Sequence, residues 1–225
     1  MKLKYMTLIF TTASLLLAGC EYDNFEEPKA TLSGKVVYQG NAVSVRNNGP
    51  QLELWQDGFA LRSPITVNIS QDGSYSAILF NGRYKMVRRA DAPWQQQASD
   101  TLIVNVSGNT TFDVPVNPYF TISNDTFGKS GNNVTAKFVL NKIIPSANLE
   151  LVRLYLGKSI LTDQVQREFL VDGNVGSIVP GQPSEITASL PDNLKDLDYI
   201  FARIGVKSTS AGEYYYTQVQ KIALK

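Results

Sequence analysis

The chain is 225 residues long and close to neutral, with 21 lysines and arginines against 20 aspartates and glutamates, no histidine and one cysteine. That balance removes the electrostatic footprint of nucleic-acid binding. The missing histidine removes serine–histidine–aspartate and cysteine–histidine centres, and zinc sites built on histidine or cysteine go with them.

Lys2 and Lys4 precede an apolar run from Met6 to Leu17 that only hydroxyl residues interrupt. This is the layout of a secretory signal over residues 1–19, expected to be cleaved, and it is too short for the ~20 apolar residues that cross a bilayer. Leu17-Ala18-Gly19-Cys20 resembles the bacterial lipobox, which implies that Cys20 is acylated and opens the mature chain. Several acyl chains at ~0.8 kcal/mol per buried CH₂ make a firm anchor. Residues 20–29 then form a lipidated acidic tether. Its Glu21, Asp23, Glu26 and Glu27 resemble the export signal of Bacteroidetes surface lipoproteins, and the same charges suit a solvated linker. The expected location is the outer membrane, lipid-anchored and facing the exterior. Without residues 1–19 the chain carries 19 basic and 20 acidic residues. With its thiol acylated it has no disulfide to form, so its stability must come from hydrophobic cores.

From Thr31 onward short alternating segments follow one another. Leu32, Gly34, Val36 and Tyr38 share a face, as do Leu52 and Leu54, then Ile65, Val67 and Ile69, then Leu102, Val104 and Val106. Period two over such lengths predicts half-buried strands and an all-β fold. Asp72-Gly73 lies between two such runs, where a type I′ hairpin turn is expected, and Asn81-Gly82 is a second turn signal. Tyr84, just past that turn, resembles a tyrosine corner and is assigned a structural role. Pro115-Val116-Asn117-Pro118 has two donorless prolines and predicts a hinge. Alternation restarts beyond it with Val134, Ala136, Phe138 and Leu140 on one face. Strands are expected over 148–156, 185–190, 199–206 and 214–224. The strand at 199–206 is apolar on both faces, so alternation does not say which is buried. The predicted architecture is two tandem β-sandwich domains, residues 30–116 and 118–225, after a cleaved lipoprotein signal peptide.

Chemistry is sparse. Glu150, Asp163, Glu168 and Asp172 leave open a carboxylate pair of the kind glycoside hydrolysis uses, while each of them is expected to be solvated surface charge. The aspartates at 57, 72 and 172 precede glycines without the repeated oxygen ligands of a calcium loop, and no glycine-rich phosphate loop occurs. No catalytic residue, metal or cofactor is therefore assigned. Aromatic residues are the better candidates, because sugar rings stack their C–H faces on indole and phenol planes. Trp55 alternates with Gln51 and Glu53, Trp94 lies in a loop of proline and glutamines, and Tyr214 and Tyr216 share a face with Gln218 and Gln220. All four are candidate glycan-binding residues, although strand aromatics also pack across strands or at interfaces. Asp100-Thr101-Leu102 resembles a Bacteroidetes O-glycosylation acceptor, with Thr101 the modified residue.

The lipobox, then Asp23-Asn24-Phe25-Glu26-Glu27-Pro28, Leu32-Ser33-Gly34 and Leu79-Phe80-Asn81-Gly82-Arg83-Tyr84, together resemble the Bacteroidetes lipoprotein family called domain of unknown function 3823. The resemblance implies a prealbumin-like, or carboxypeptidase-regulatory-like, sandwich followed by an immunoglobulin or fibronectin III-like one. It implies no catalytic residues. Such families often accompany SusC/SusD-type glycan uptake, which implies an accessory binding or scaffold lipoprotein that is not an enzyme. Its partners would be the membrane, polysaccharide or transporter components. A structural or anchor subunit of a fimbria-like assembly is the alternative.

Overall fold

The computed structural model describes residues 26–58, 63–96 and 101–225; the signal run, Cys20, Glu21, Asp23 and Asp100 lie outside them. The chain forms two tandem β-sandwiches. In the first, β1 (Ala30–Tyr38) lies between antiparallel β5 (Ser74–Leu79) and β2 (Asn41–Ala42) and the parallel strands β8 (Asn109–Thr111) and β9 (Val114–Pro115). The facing sheet runs β4 (Ile65–Asn68), β3 (Gln51–Gln56), β6 (Gly82–Arg88), β7 (Thr101–Val106). Leu32, Val36, Leu52, Leu54, Met86 and Val104 fill the space between. Alternate residues of β3 and β6 therefore turn outward, which is the pleat expressing the period of two.

The turn at Asp72-Gly73 differs from expectation. Only Gly73 has a positive φ, +86°, and its N–H donates to Ser70 O while Ser70 N donates to Ser74 O. The connection is a three-residue loop closed by a glycine bulge, in which the Asp72 carboxylate accepts from Ser74 N and Oγ. Asn81-Gly82 makes no hairpin; it carries the chain from the β1 sheet to the β3 sheet, and Tyr84 Oη donates to Phe80 O at 3.0 Å across that corner.

The second sandwich pairs the sheet β10 (Phe120–Ser130), β11 (Asn133–Lys142), β14 (Pro183–Ser189) with β13 (Phe169–Asp172), β12 (Leu149–Gly157), β15 (Tyr199–Ser208). The short strands β16 (Tyr215–Tyr216) and β17 (Gln220–Ala223) both pair with β15. A one-turn helix, Asp192–Lys195, precedes β15. Val134, Ala136, Phe138 and Leu140 face Leu154, Leu156, Ile200 and Ile204 in its core. Of the two apolar faces of β15, the one bearing Ile200, Ala202, Ile204 and Val206 is thus the core face, and Arg203 and Gly205 lie on the other.

The proline segment is pinned, contrary to the expected hinge. Pro115 lies in β9, Val116 is buried and its N–H donates to Val37 O at 2.9 Å, and Arg88 donates to Pro115 O. Gln95 N donates to Asn117 O and Tyr119 N to Pro93 O. Two prolines remove two donors, but the remaining backbone groups find partners on both sides.

The sandwiches are joined more firmly still through β15 and β16. Arg203, fully buried, donates from Nε to Thr217 O (2.7 Å) and from Nη2 to Val45 O (2.8 Å) and Gln71 O (3.2 Å). Its guanidinium lies 4.3 Å from the Tyr216 ring centre, a cation–π contact. Nearby, Arg46 Nη2 meets Glu213 Oε1 at 2.6 Å and Tyr216 N donates to Ser44 O.

Candidate functional site

The outward face of the β3 sheet places Trp55 opposite Lys85, and Lys85 opposite Ile103. In the next row Glu53 stands opposite Val87, and Val87 opposite Thr101. The half-buried indole is set by its own strand: Nε1 donates to Glu53 Oε2 at 3.2 Å, two residues back on the same face. Lys85 Nζ meets Asp57 Oδ1 at 3.0 Å, and Arg89 Nε meets Glu53 Oε1 at 3.3 Å. Around these side chains lies a hollow of about 270 Å³, lined by Trp55, Gln56, Asp57, Lys85, Val87 and Thr101. An aromatic plane beside fixed charges and an amide suits a ligand with an apolar face and a hydroxyl-bearing rim.

The four aromatic candidates do not come together. Trp94 is 3% exposed, because its loop folds under the segment joining the domains and bridges Pro118. Tyr214 and Tyr216 are 5% and 1% exposed. Their shared face is the one the first domain and the 158–168 loop cover: Tyr216 Oη accepts from Gln164 N, and Tyr214 Oη accepts from Arg153 at 2.9 Å. Both stack near Tyr155, whose hydroxyl donates to Gln164 Oε1 and is held well above the usual phenol range by burial. These three residues build the molecule. Trp55 alone of the four stands at an open face.

Thr101 is exposed at the start of β7 and borders the Trp55 hollow. Glu26 and Glu27 are exposed, with Lys29 3.4 Å from Glu26. Asp163, expected in solvent, is buried: its carboxylate accepts from Val165 N and Gln166 N and shapes the 158–168 loop. Arg88 and Arg89 part to opposite faces, the first buried and the second exposed. Lys85 and Val87 were not singled out in the sequence, and Asp57 was read there only as a turn residue. The register of β6 against β3 brings them to Trp55, and no local signal carries that register. Among the described residues no cluster of metal-ligating side chains occurs, and no helix is long and apolar enough to cross a membrane.

Comparison with curated proteins found no match. Two solved structures are similar over 88% of this chain and 100% of theirs: a DUF3823 family protein from Bacteroides ovatus (46% identity, TM-score 0.82) and one from Parabacteroides merdae (34%, 0.80). A candidate carbohydrate-binding protein from Bacteroides uniformis shares the fold with the same coverage, at 18% identity and TM-score 0.74. The model for the DUF3823 N-terminal domain, a protein of unknown function, matches residues 30–117, and that for DUF3823_C, a domain of unknown function, matches residues 120–221. The two sandwiches are therefore these two domains in tandem, and the chain belongs to the DUF3823 family.

Proposed function

We propose that the chain is a non-enzymatic accessory module that binds saccharide on the outward face of the β3 sheet, held at the outer membrane by an acylated Cys20 and displayed outside the cell by its acidic tether. SusC/SusD-type glycan uptake is the setting this reading fits. The carrying observation is Trp55 beside an open hollow with Glu53, Asp57 and Lys85 around it. The Bacteroides uniformis neighbour, a candidate carbohydrate binder of the same fold, supports the class of ligand. With no histidine in the chain, no histidine-based catalytic centre competes with this reading.

The structural-subunit reading has one feature in its favour, an open trough between the edge strands β10 and β17. Lys129, Lys221 and Lys225 line that trough, and edge lysines commonly discourage strand addition. The binding reading is the better supported.

Retention on a panel of immobilised polysaccharides, with outer-membrane extract present, tests both. Trp55→Ala is expected to weaken retention at least about tenfold, or ~1.4 kcal/mol, with the thermal midpoint little changed. Equal retention of Trp55→Ala and the parent would overturn the site. Protease treatment of intact cells tests display, and full protection would overturn it.

A further inference from the structure

A second concave site lies where the domains meet. The turn after β1 and the first half of β10 stand on either side of a cleft of about 280 Å³, and Tyr215 of β16 completes it. Two partly exposed tyrosines, Tyr38 and Tyr215, share its lining with the uncharged polar residues Gln39, Asn41, Thr121 and Ser123 and with Val43 and Ile122. Among the described residues no charged side chain lines the cleft.

The polar groups are held in place from behind. Asn141 Nδ2 donates to Ser123 Oγ at 2.9 Å and to Thr121 Oγ1 at 3.4 Å. Each hydroxyl thus spends an acceptor on Asn141 and keeps its proton to donate. Gln39 Nε2 donates to Tyr38 Oη at 3.1 Å, which leaves that phenol its proton as well. Gln39 of the lining, at φ +50°, and Asn124, the residue after Ser123, at φ +55°, are non-glycine residues in the left-handed region. The second accompanies the register shift in β10 between Ser123 and Thr126. Burial, with Asp125 nearby, pushes the Tyr215 hydroxyl up to about 12, so it stays a donor throughout the neutral range. Because Arg203 and the Arg46–Glu213 pair join the domains, the two walls are set before any ligand arrives.

We propose that this cleft is a saccharide-binding site, separate from the Trp55 face, that takes one ring of a neutral glycan. Aromatic faces receive the C–H side of a sugar, and amides and hydroxyls both give and accept as sugar hydroxyls require. The absence of lining charge offers nothing to a uronate, sulfate or phosphate. Clefts at domain boundaries with a few convergent polar groups are common ligand sites. The site stands on its own geometry and does not need Trp55.

Hydrogen exchange on the full chain tests it, with neutral tetra- to hexasaccharides of glucan, xylan, mannan, arabinan and galactan as probes. At least one series is expected to slow exchange twofold or more in peptides covering residues 38–43 and 121–125. That protection should persist in Trp55→Ala and fall at least fivefold in apparent affinity in Asn41→Ala, whose exposed side chain leaves folding intact. Tyr38→Phe, which keeps the ring, should weaken it less. Protection confined to residues 53–57 and 83–88 would overturn the cleft while supporting the Trp55 face. No protection at the cleft from any series, or cleft protection undiminished in Asn41→Ala, would overturn it too.

Discussion

Arg203 carries a charge into the boundary between two hydrophobic cores, and the consequence is measurable. Burial lowers its pKa to about 10, partly offset by the Tyr216 ring and by Asp163. Its hydrogen bonds end on carbonyl oxygens from three separate segments, at Val45, Gln71 and Thr217. A planar fork reaches such a set; an ammonium on a flexible stem does not. Arg203→Lys is therefore expected to leave buried carbonyls unpaired and to cost about 1–3 kcal/mol in urea unfolding. A variant within a few tenths of a kcal/mol of the parent would show that the guanidinium is not what joins the domains.

At the scale of elements, β15 and β16 show how one strand serves two surfaces. The inward face of β15 is aliphatic core, while its outward face seats the tyrosines of β16 and β12 against Gly205. A Cβ on Gly205 would lie 2.8 Å from the Tyr216 ring and 2.9 Å from the Tyr155 ring. The glycine is there for that close approach. Gly205→Ala should destabilise the chain by about 1–3 kcal/mol through overpacking, read from the thermal midpoint, and should disturb the first domain's contacts because Tyr216 N reaches Ser44 O. An unchanged midpoint would mean that the rings shift without cost. The β3 sheet has the opposite design: its outward face is left open, so Trp55 can be removed without touching a core.

Taken whole, the molecule holds its buried and half-buried phenols neutral. Desolvation raises the hydroxyl pKa of Tyr75, Tyr84, Tyr119, Tyr155, Tyr215 and Tyr216 above the ordinary value near 10. A folded pKa above the unfolded one means that the stabilisation is complete below about pH 10 and is lost as pH rises through the folded values, for Tyr215 about 12. Stability to urea should therefore show no tyrosine-linked change from pH 7 to 9 and decline beyond pH 10. Tyrosine absorbance should rise in two stages, exposed residues first and the buried cluster only with unfolding. A single titration near pH 10 with the fold intact would contradict the buried cluster.

The sequence by itself determined the all-β class and two sandwiches, because alternation is local: each strand writes its own two faces. It also placed Tyr84, whose corner spans four residues. Tertiary structure decided which faces meet water. Tyr214 and Tyr216 do share a face with Gln218, as period two requires, yet that face is covered by Tyr155, Arg153 and the 158–168 loop of its own domain and, at Ser44, by the first domain. Trp94 reads as a loop residue and is buried because Pro93 and Trp94 fold against residues 118 and 119. The surroundings of Trp55 and the cleft at Tyr38 and Tyr215 come from strand register and domain docking. Burial is a relation between segments far apart in the chain, Arg46 and Glu213 being separated by 167 residues, and the pattern of one strand cannot say what will be packed upon it.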